Sequence, residues 1–165
     1  MSQLSVLQSC LDMNMNRVIA QVEAVAGNPE LHDFLSWRIA PGRAHAAWQW
    51  THIAVTEELF ACDRLVTAHE RANYRDYWDR FRGGSTPSDT DVPSFETILK
   101  MLKDAHETLR ETLKTFTDAD LDTKTMSVRD TNHSLRMWIQ IMIYHSAHHH
   151  GQVHALLNVF KGQKS

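Results

Sequence analysis

Leu4, Leu7, Leu11, Met15, Val18, Val22 and Val25 step along the chain by threes and fours. An α-helix returns to one face on that spacing, so these residues make a single apolar stripe and predict a helix from about Leu4 to Ala26. Gly27-Asn28-Pro29 ends it, because proline has no amide hydrogen to donate. A short helical piece over Glu30 to Trp37 follows, and Pro41-Gly42 breaks the chain again.

The same period recurs. Ala44, Trp48, Thr51 or His52, Val55, Leu59, Cys62 and Val66 predict a second helix over about Arg43 to His69. Phe95, Leu99, Leu102, His106, Leu109, Leu113 and Phe116 predict a third. It starts at Ser94, whose hydroxyl suits an N-cap, with Glu96 in the first turn. Leu135, Trp138, Met142, His145, His149, Val153, Leu156 and Phe160 predict a last helix from about Ser134 to Phe160. Between the second and third helices, "RANYRDYWDRFRGGSTPSDTDVP" reads as a crossover connection with a helical turn or two. "TDADLDTKTMSVRDTNHS" is polar and loop-like, with room for a short turn or a strand-like bend. Four long helices and one long connection imply an all-α chain, a four-helix bundle with a long crossover connection in a single domain, 1–165.

Hydrophobic residues make up 42% of the chain, enough for a core, and a charged fraction of 22% with only four prolines argues against disorder. A formal net charge of −3 argues against a general nucleic-acid binder. Arg71, Arg75, Arg80 and Arg82 lie among Tyr74, Tyr77 and Trp78, but Asp76 and Asp79 break that patch. It reads as a solvated connection with aromatic anchors. The longest apolar run, Leu135 to Tyr144, is too short to span a bilayer and contains Arg136 and Gln140. The first residues lack a basic stretch followed by an apolar block, so they do not read as a signal peptide, and the expected compartment is the cytoplasm. Cys10 and Cys62 then read as reduced thiols, serving as small core residues.

"YHSAHHHGQV", Tyr144 to Val153, puts four histidines into six positions of the last stripe. His145 and His149 stand about 40° apart on one face, one turn apart along the axis. A buried imidazole that leaves a nitrogen unpaired costs about 1–3 kcal/mol. A divalent metal answers for two such rings at once, and His-x-x-x-His on a helix is a known zinc spacing. A third ligand should come from another core stripe. His52 fits, and His106 on the third helix is the competitor, with Lys103, Glu107 and Arg110 around it predicting partial exposure. His45 is about 10 Å from His52 along the axis, so one metal cannot take both; it reads as a pocket-lining or structural group. His148 lies about 60° off the line of His145, as a pocket wall, and His150 turns about 100° from His149 towards the surface.

These residues resemble a known family. "YHSAHHHGQV" is similar to the signature of the DinB-like superfamily, a His-x-x-x-His followed by Arg-Gly-Gln. "PGRAHAAWQWTHIAVTEELF" is similar to its second-helix motif, a histidine before an acidic pair. The resemblance extends over nearly the whole chain. It implies a four-helix bundle, a homodimer, and a metal site of one histidine from the second helix and two from the fourth, here His52, His145 and His149. His150 stands where the family has arginine, while Gly151 and Gln152 match. The resemblance assigns Gly151 to close helix approach and Gln152 to a hydrogen bond near the site.

Three neutral histidines around a divalent metal leave an open position for water or a substrate atom; nickel, zinc, manganese and iron fit imidazole ligation, and affinity order favours nickel or zinc. The resemblance implies an enzyme that uses a low-molecular-weight thiol, or water, against a small-molecule electrophile, as a transferase or hydrolase. The rival expectation is a non-catalytic metal-binding stress-response protein. His45, His148, Tyr144, Glu57 and Trp48 are the candidates for the pocket and for proton transfer. Glu57 sits about 140° from His52 and reads as a surface salt bridge.

Overall fold

The computed structural model describes residues 2–128 and 131–164, which are mostly helical with one two-stranded sheet. Helix α1 spans Gln3–Ala26. Ser2 caps it, its hydroxyl accepting from the Ser5 amide at 3.1 Å, and the Asp118 carboxylate accepts from the free Gln3 and Leu4 amides at 2.9 Å. The expected stripe is buried at Leu4, Leu11, Met15, Val18, Val22 and Val25. The short piece that follows is a 3-10 helix, Pro29–Leu35, which carries Leu31 and Phe34 into the core.

Helix α2 spans Ala46–Leu59, shorter than the stripe suggested. Its start is set by His45, which caps it. Every residue from Ala46 to Val55 is buried, so α2 is the inner helix of the fold and has no single apolar stripe. It runs on through a π-turn, Phe60–Arg64, and ends there, before His69. Buried Glu58 explains the early end. Its carboxylate accepts from the Asn73 amide at 2.7 Å, the Tyr74 amide at 3.1 Å and the Trp78 indole at 2.7 Å, so the chain turns back across the helix.

The crossover holds a 3-10 turn, His69–Arg71, and helix α3, Arg75–Phe81. Gly84 follows at φ 93, a left-handed conformation that favours glycine. Helix α4, Phe95–Leu113, begins where expected, with the Ser94 hydroxyl accepting from the Thr97 amide at 3.2 Å. A helical turn α5, Asp120–Thr123, leads into strands β1, Thr125–Val128, and β2, Thr131–Ser134, which pair antiparallel with Val128 opposite Thr131. The polar stretch before the last helix therefore does hold a strand-like element; its Arg129 and Asp130 lie outside the described residues. Helix α6 spans Leu135–Lys164. Among the long helices, α2 packs on α4 and α6, and α1 packs on the same two. The α2–α6 contact places the middle of α6 against the middle of α2, where the histidines are.

No helix among the described residues is long and apolar enough to cross a membrane.

Candidate metal centre

The histidine positions follow from helix geometry. His145 and His149 project from α6 on one face, and His52 projects from α2 onto the same spot. The imidazole centroids are 4.8 Å apart for His52 and His145, 4.7 Å for His52 and His149, and 4.5 Å for His145 and His149. One nitrogen from each ring lies within 4.8 Å of the other two. The Nε2 atoms of His52 and His145 are 2.9 Å apart. Tetrahedral ligation at about 2.0–2.1 Å would set two imidazole nitrogens about 3.3 Å apart, a few tenths of an ångström from this separation.

The outer nitrogens decide which lone pairs face inward. His52 Nδ1 donates to the Phe81 carbonyl at 2.6 Å, an atom that can only accept, so Nε2 is the bare nitrogen. Trp48 stacks on the same ring at 4.7 Å and fixes its plane. His149 Nδ1 donates to Gln49 Oε1, again leaving Nε2 free. A ligand imidazole pinned in this way through its other nitrogen is a recurring feature of metal sites. His145 Nδ1, by contrast, is buried with no hydrogen-bond partner among the described residues. The partner of His145 Nε2 is the Nε2 of His52, a pairing that leaves His145 Nδ1 unpaired.

Burial and charge keep the cluster neutral. Burial pushes His145 down to about 3, with the neighbouring imidazoles of His52, His149 and His148 acting in the same direction. Burial, then His52 and His148, brings His149 to about 4. His52 is lowered by burial, against the opposing bond to Phe81. At neutral pH three unprotonated imidazoles converge, the state a divalent cation requires. The donor set thus fits a metal of the nitrogen-preferring kind.

Above the histidines lies a cavity of about 550 Å³. Leu59, Phe60, Trp78, Trp138, Ile141 and Met142 supply apolar wall, and Thr56, Arg64, Asp79, Arg82 and Thr131 supply the polar groups. Trp138 is held by its indole donating to the Met126 carbonyl at 2.8 Å, so the β1–β2 hairpin fixes one wall.

Other expected pocket residues lie elsewhere. His45 is 1% exposed and serves α2: its Nδ1 accepts from the Trp48 amide at 3.0 Å, and its Nε2 donates to the Ser88 carbonyl at 3.0 Å. Tyr144 is 67% exposed and stacks on His148 at 5.5 Å. His148 is exposed and accepts from the Gln152 amide at 2.9 Å. His45, His148 and Tyr144 are all absent from the cavity lining. Glu57 is not a surface group: it is 1% exposed and accepts from His106 Nδ1 at 2.9 Å, while His106 Nε2 meets Asp12 at 2.9 Å. That pairing occupies both nitrogens of His106 and removes it from the competition for the metal cluster. Gly151 is exposed, and an added Cβ there would meet nothing within 4 Å, so close helix approach does not require it.

The basic residues of the crossover are dispersed. Arg71 bonds Thr112 Oγ1 at 3.2 Å, Arg75 lies 6.0 Å over Trp78, Arg80 pairs with Asp91, and Arg82 pairs with Asp79 at 3.3 Å. Sequence reasoning missed Gln49, Arg64, Arg82 and the Phe81 carbonyl. Only Gln49 left a signal, a polar residue one turn before His52 inside an otherwise apolar helix start.

A family model described as the DinB superfamily matches residues 15–153, which includes all three histidines of the cluster. No curated protein matches the chain.

Proposed function

The chain belongs to the DinB superfamily, and on that premise we propose that His52, His145 and His149 hold a divalent metal ion, nickel or zinc, in a metal-dependent enzyme that acts on a small electrophile. The observation that carries the reading is the convergence of three neutral imidazoles whose outer nitrogens, on two of the three, are pinned by Phe81 and Gln49. When bound, such an ion lowers the pKa of a water towards ~7 or holds a thiolate, and so supplies a nucleophile at neutral pH. The rest of the work falls to the protein. Gln49 and Phe81 orient two rings, Trp48 fixes the plane of His52, and the walls from Leu59 to Met142 exclude bulk water around the reactant. The nucleophile is a low-molecular-weight thiol or water, and the reaction a transfer or a hydrolysis.

The test is turnover. Metal-loaded protein is incubated with low-molecular-weight thiols and a panel of epoxides and activated esters, and product is followed by mass spectrometry. Activity that falls at least about 100-fold in His52→Ala, His145→Ala and His149→Ala supports the enzyme. Full metal occupancy without turnover over the panel favours a second reading, a metal-binding stress-response protein without catalysis. One observation favours that second reading: His45, His148 and Tyr144, the expected proton-transfer groups, do not line the cavity.

The four long helices are proposed to form the family's four-helix bundle, which the packing of α1 and α2 each on α4 and α6 supports. A homodimer is proposed on the exposed apolar residues Val6 and Met13 of α1 and Met137 and Tyr144 of α6. These helices run parallel, as the Asn14 bond to the Ile143 carbonyl and the Gln21 bond to the His150 carbonyl require. A cytoplasmic setting is proposed on the two free thiols, Cys10 and Cys62.

A further inference from the structure

We propose that the cavity over the three histidines takes a small organic carboxylate with an apolar body, and that Arg64 and Arg82 bind its carboxylate. The inference extends the reading of the histidines as metal ligands by naming the class of compound the site receives. The arginine contact itself does not depend on the ion.

The two arginines come from separate elements. Arg64 closes the π-turn after α2, and Arg82 is the residue after α3. Both line the cavity that has His52, His145 and His149 in its wall. Neither is fully neutralised there. Asp63, 3.1 Å from Arg64, is outside the lining and is shared with His69 Nε2 at 2.6 Å. Asp79, 3.3 Å from Arg82, is the only carboxylate among the described lining residues and is itself 83% exposed.

Among the described lining residues two guanidiniums face one carboxylate, with Asp63 pairing Arg64 from outside the lining. Histidine side chains supply no negative charge. A divalent cation on three neutral ligands brings two further positive charges into a site walled by Trp78, Trp138, Leu59 and Met142. Uncompensated charge in such surroundings is costly, and the binding partner that relieves it is an anion. A guanidinium matches a carboxylate through paired N–H···O bonds. The indole and aliphatic walls suit an aryl or alkyl body, and a volume of about 550 Å³ fits a small molecule.

The experiment compares 3-phenylpropionate with 3-phenylpropionamide, equal in shape and different in charge, by isothermal titration calorimetry. It is run on metal-free and zinc-loaded full-length protein, on Arg64→Gln, on Arg82→Gln and on the double variant. The expected result is that the acid binds wild type at least about 10-fold more tightly than the amide with or without zinc, a difference that one retained charge-assisted contact produces. In the double variant the two probes bind within about 3-fold of one another, with the thermal melting point held near wild type. Equal binding of acid and amide to wild type overturns the proposal, as does binding of neither probe up to millimolar concentration. A preference that survives intact in a folded double variant also overturns it. Zinc content is measured separately on the same samples. Failure to take up zinc removes the reading of the histidines as ligands, while the acid–amide comparison in metal-free protein still decides this one. The wild-type comparison stands even where the double variant does not fold.

Discussion

Replacing Glu58 tests the link between the fold and the cavity. Glu58 is 0% exposed, and its carboxylate takes the Asn73 and Tyr74 amides and the Trp78 indole N–H. Glu58→Ala strands three donors at once. Each unsatisfied donor costs about 1–3 kcal/mol when buried. These donors belong to a half-buried crossover that water can partly reach, so the lower end applies and the expected loss is about 3 kcal/mol. For a domain of this size that corresponds to a fall in melting temperature of roughly 6–12 °C. Glu58→Gln keeps one acceptor oxygen but turns an NH2 towards an N–H donor, and about half the loss is expected. The assay is urea unfolding followed by circular dichroism, with the slope checked for constancy so that the midpoint shift reports stability. A second consequence follows from position. The segment Glu58 holds carries Trp78, Phe81 and Arg82, so cavity binding and the orientation of His52 should weaken along with stability. A loss under about 1 kcal/mol in Glu58→Ala, with the cavity unaffected, would refute the assignment of Glu58 as the residue that ends α2 and anchors the crossover.

Gln49→Leu removes the acceptor that pins His149 while keeping the bulk of the side chain. Metal affinity by chelator competition should drop about 10–100-fold, and unchanged affinity contradicts the positioning role. His45→Ala takes away the α2 cap and the bond to Ser88, and denaturant unfolding should register about 1–2 kcal/mol of lost stability. For His106, burial alone would lower the pKa, but the Glu57 and Asp12 carboxylates outweigh it and raise it above 6.5. Its stabilising contribution is then complete below pH 6.5 and disappears as pH rises through the raised value. The stability difference between wild type and His106→Gln should accordingly shrink with alkaline pH; a difference that grows with pH contradicts the ion pairing with Glu57 and Asp12.

Periodicity made α1, α4 and α6 legible because each presents one face to the core and another to solvent. It misjudged α2 for the converse reason. A helix buried on every side from Ala46 to Val55 has no contrast between faces, so its limits are set by side-chain contacts that spacing does not encode. His45 ends the helix on one side as a cap, and Glu58 turns the chain on the other. His145 and His149 could be paired from the sequence because four residues on one helix fix their separation. His52 was named as third ligand from its place on another core stripe, with His106 as the competitor, and the contact of α2 with α6 brings it to the pair. Glu57 was misjudged: its offset of about 140° from His52 suggested the surface, but it is 1% exposed and paired with His106, which is partly exposed as its charged neighbours implied. Arg64 and Arg82 could not be foreseen as cavity residues, since they follow two separate elements and meet only through the fold of the crossover.

The central claim is that His52, His145 and His149 share one ion. The direct measurement is the metal content of protein purified without a nickel column, by inductively coupled plasma mass spectrometry, beside the three single alanine variants. About one nickel or zinc ion per chain in wild type, falling to a small fraction in each variant that still folds, is the predicted result. Wild-type protein that takes up no divalent ion even after loading, or variants that retain wild-type occupancy, would contradict it.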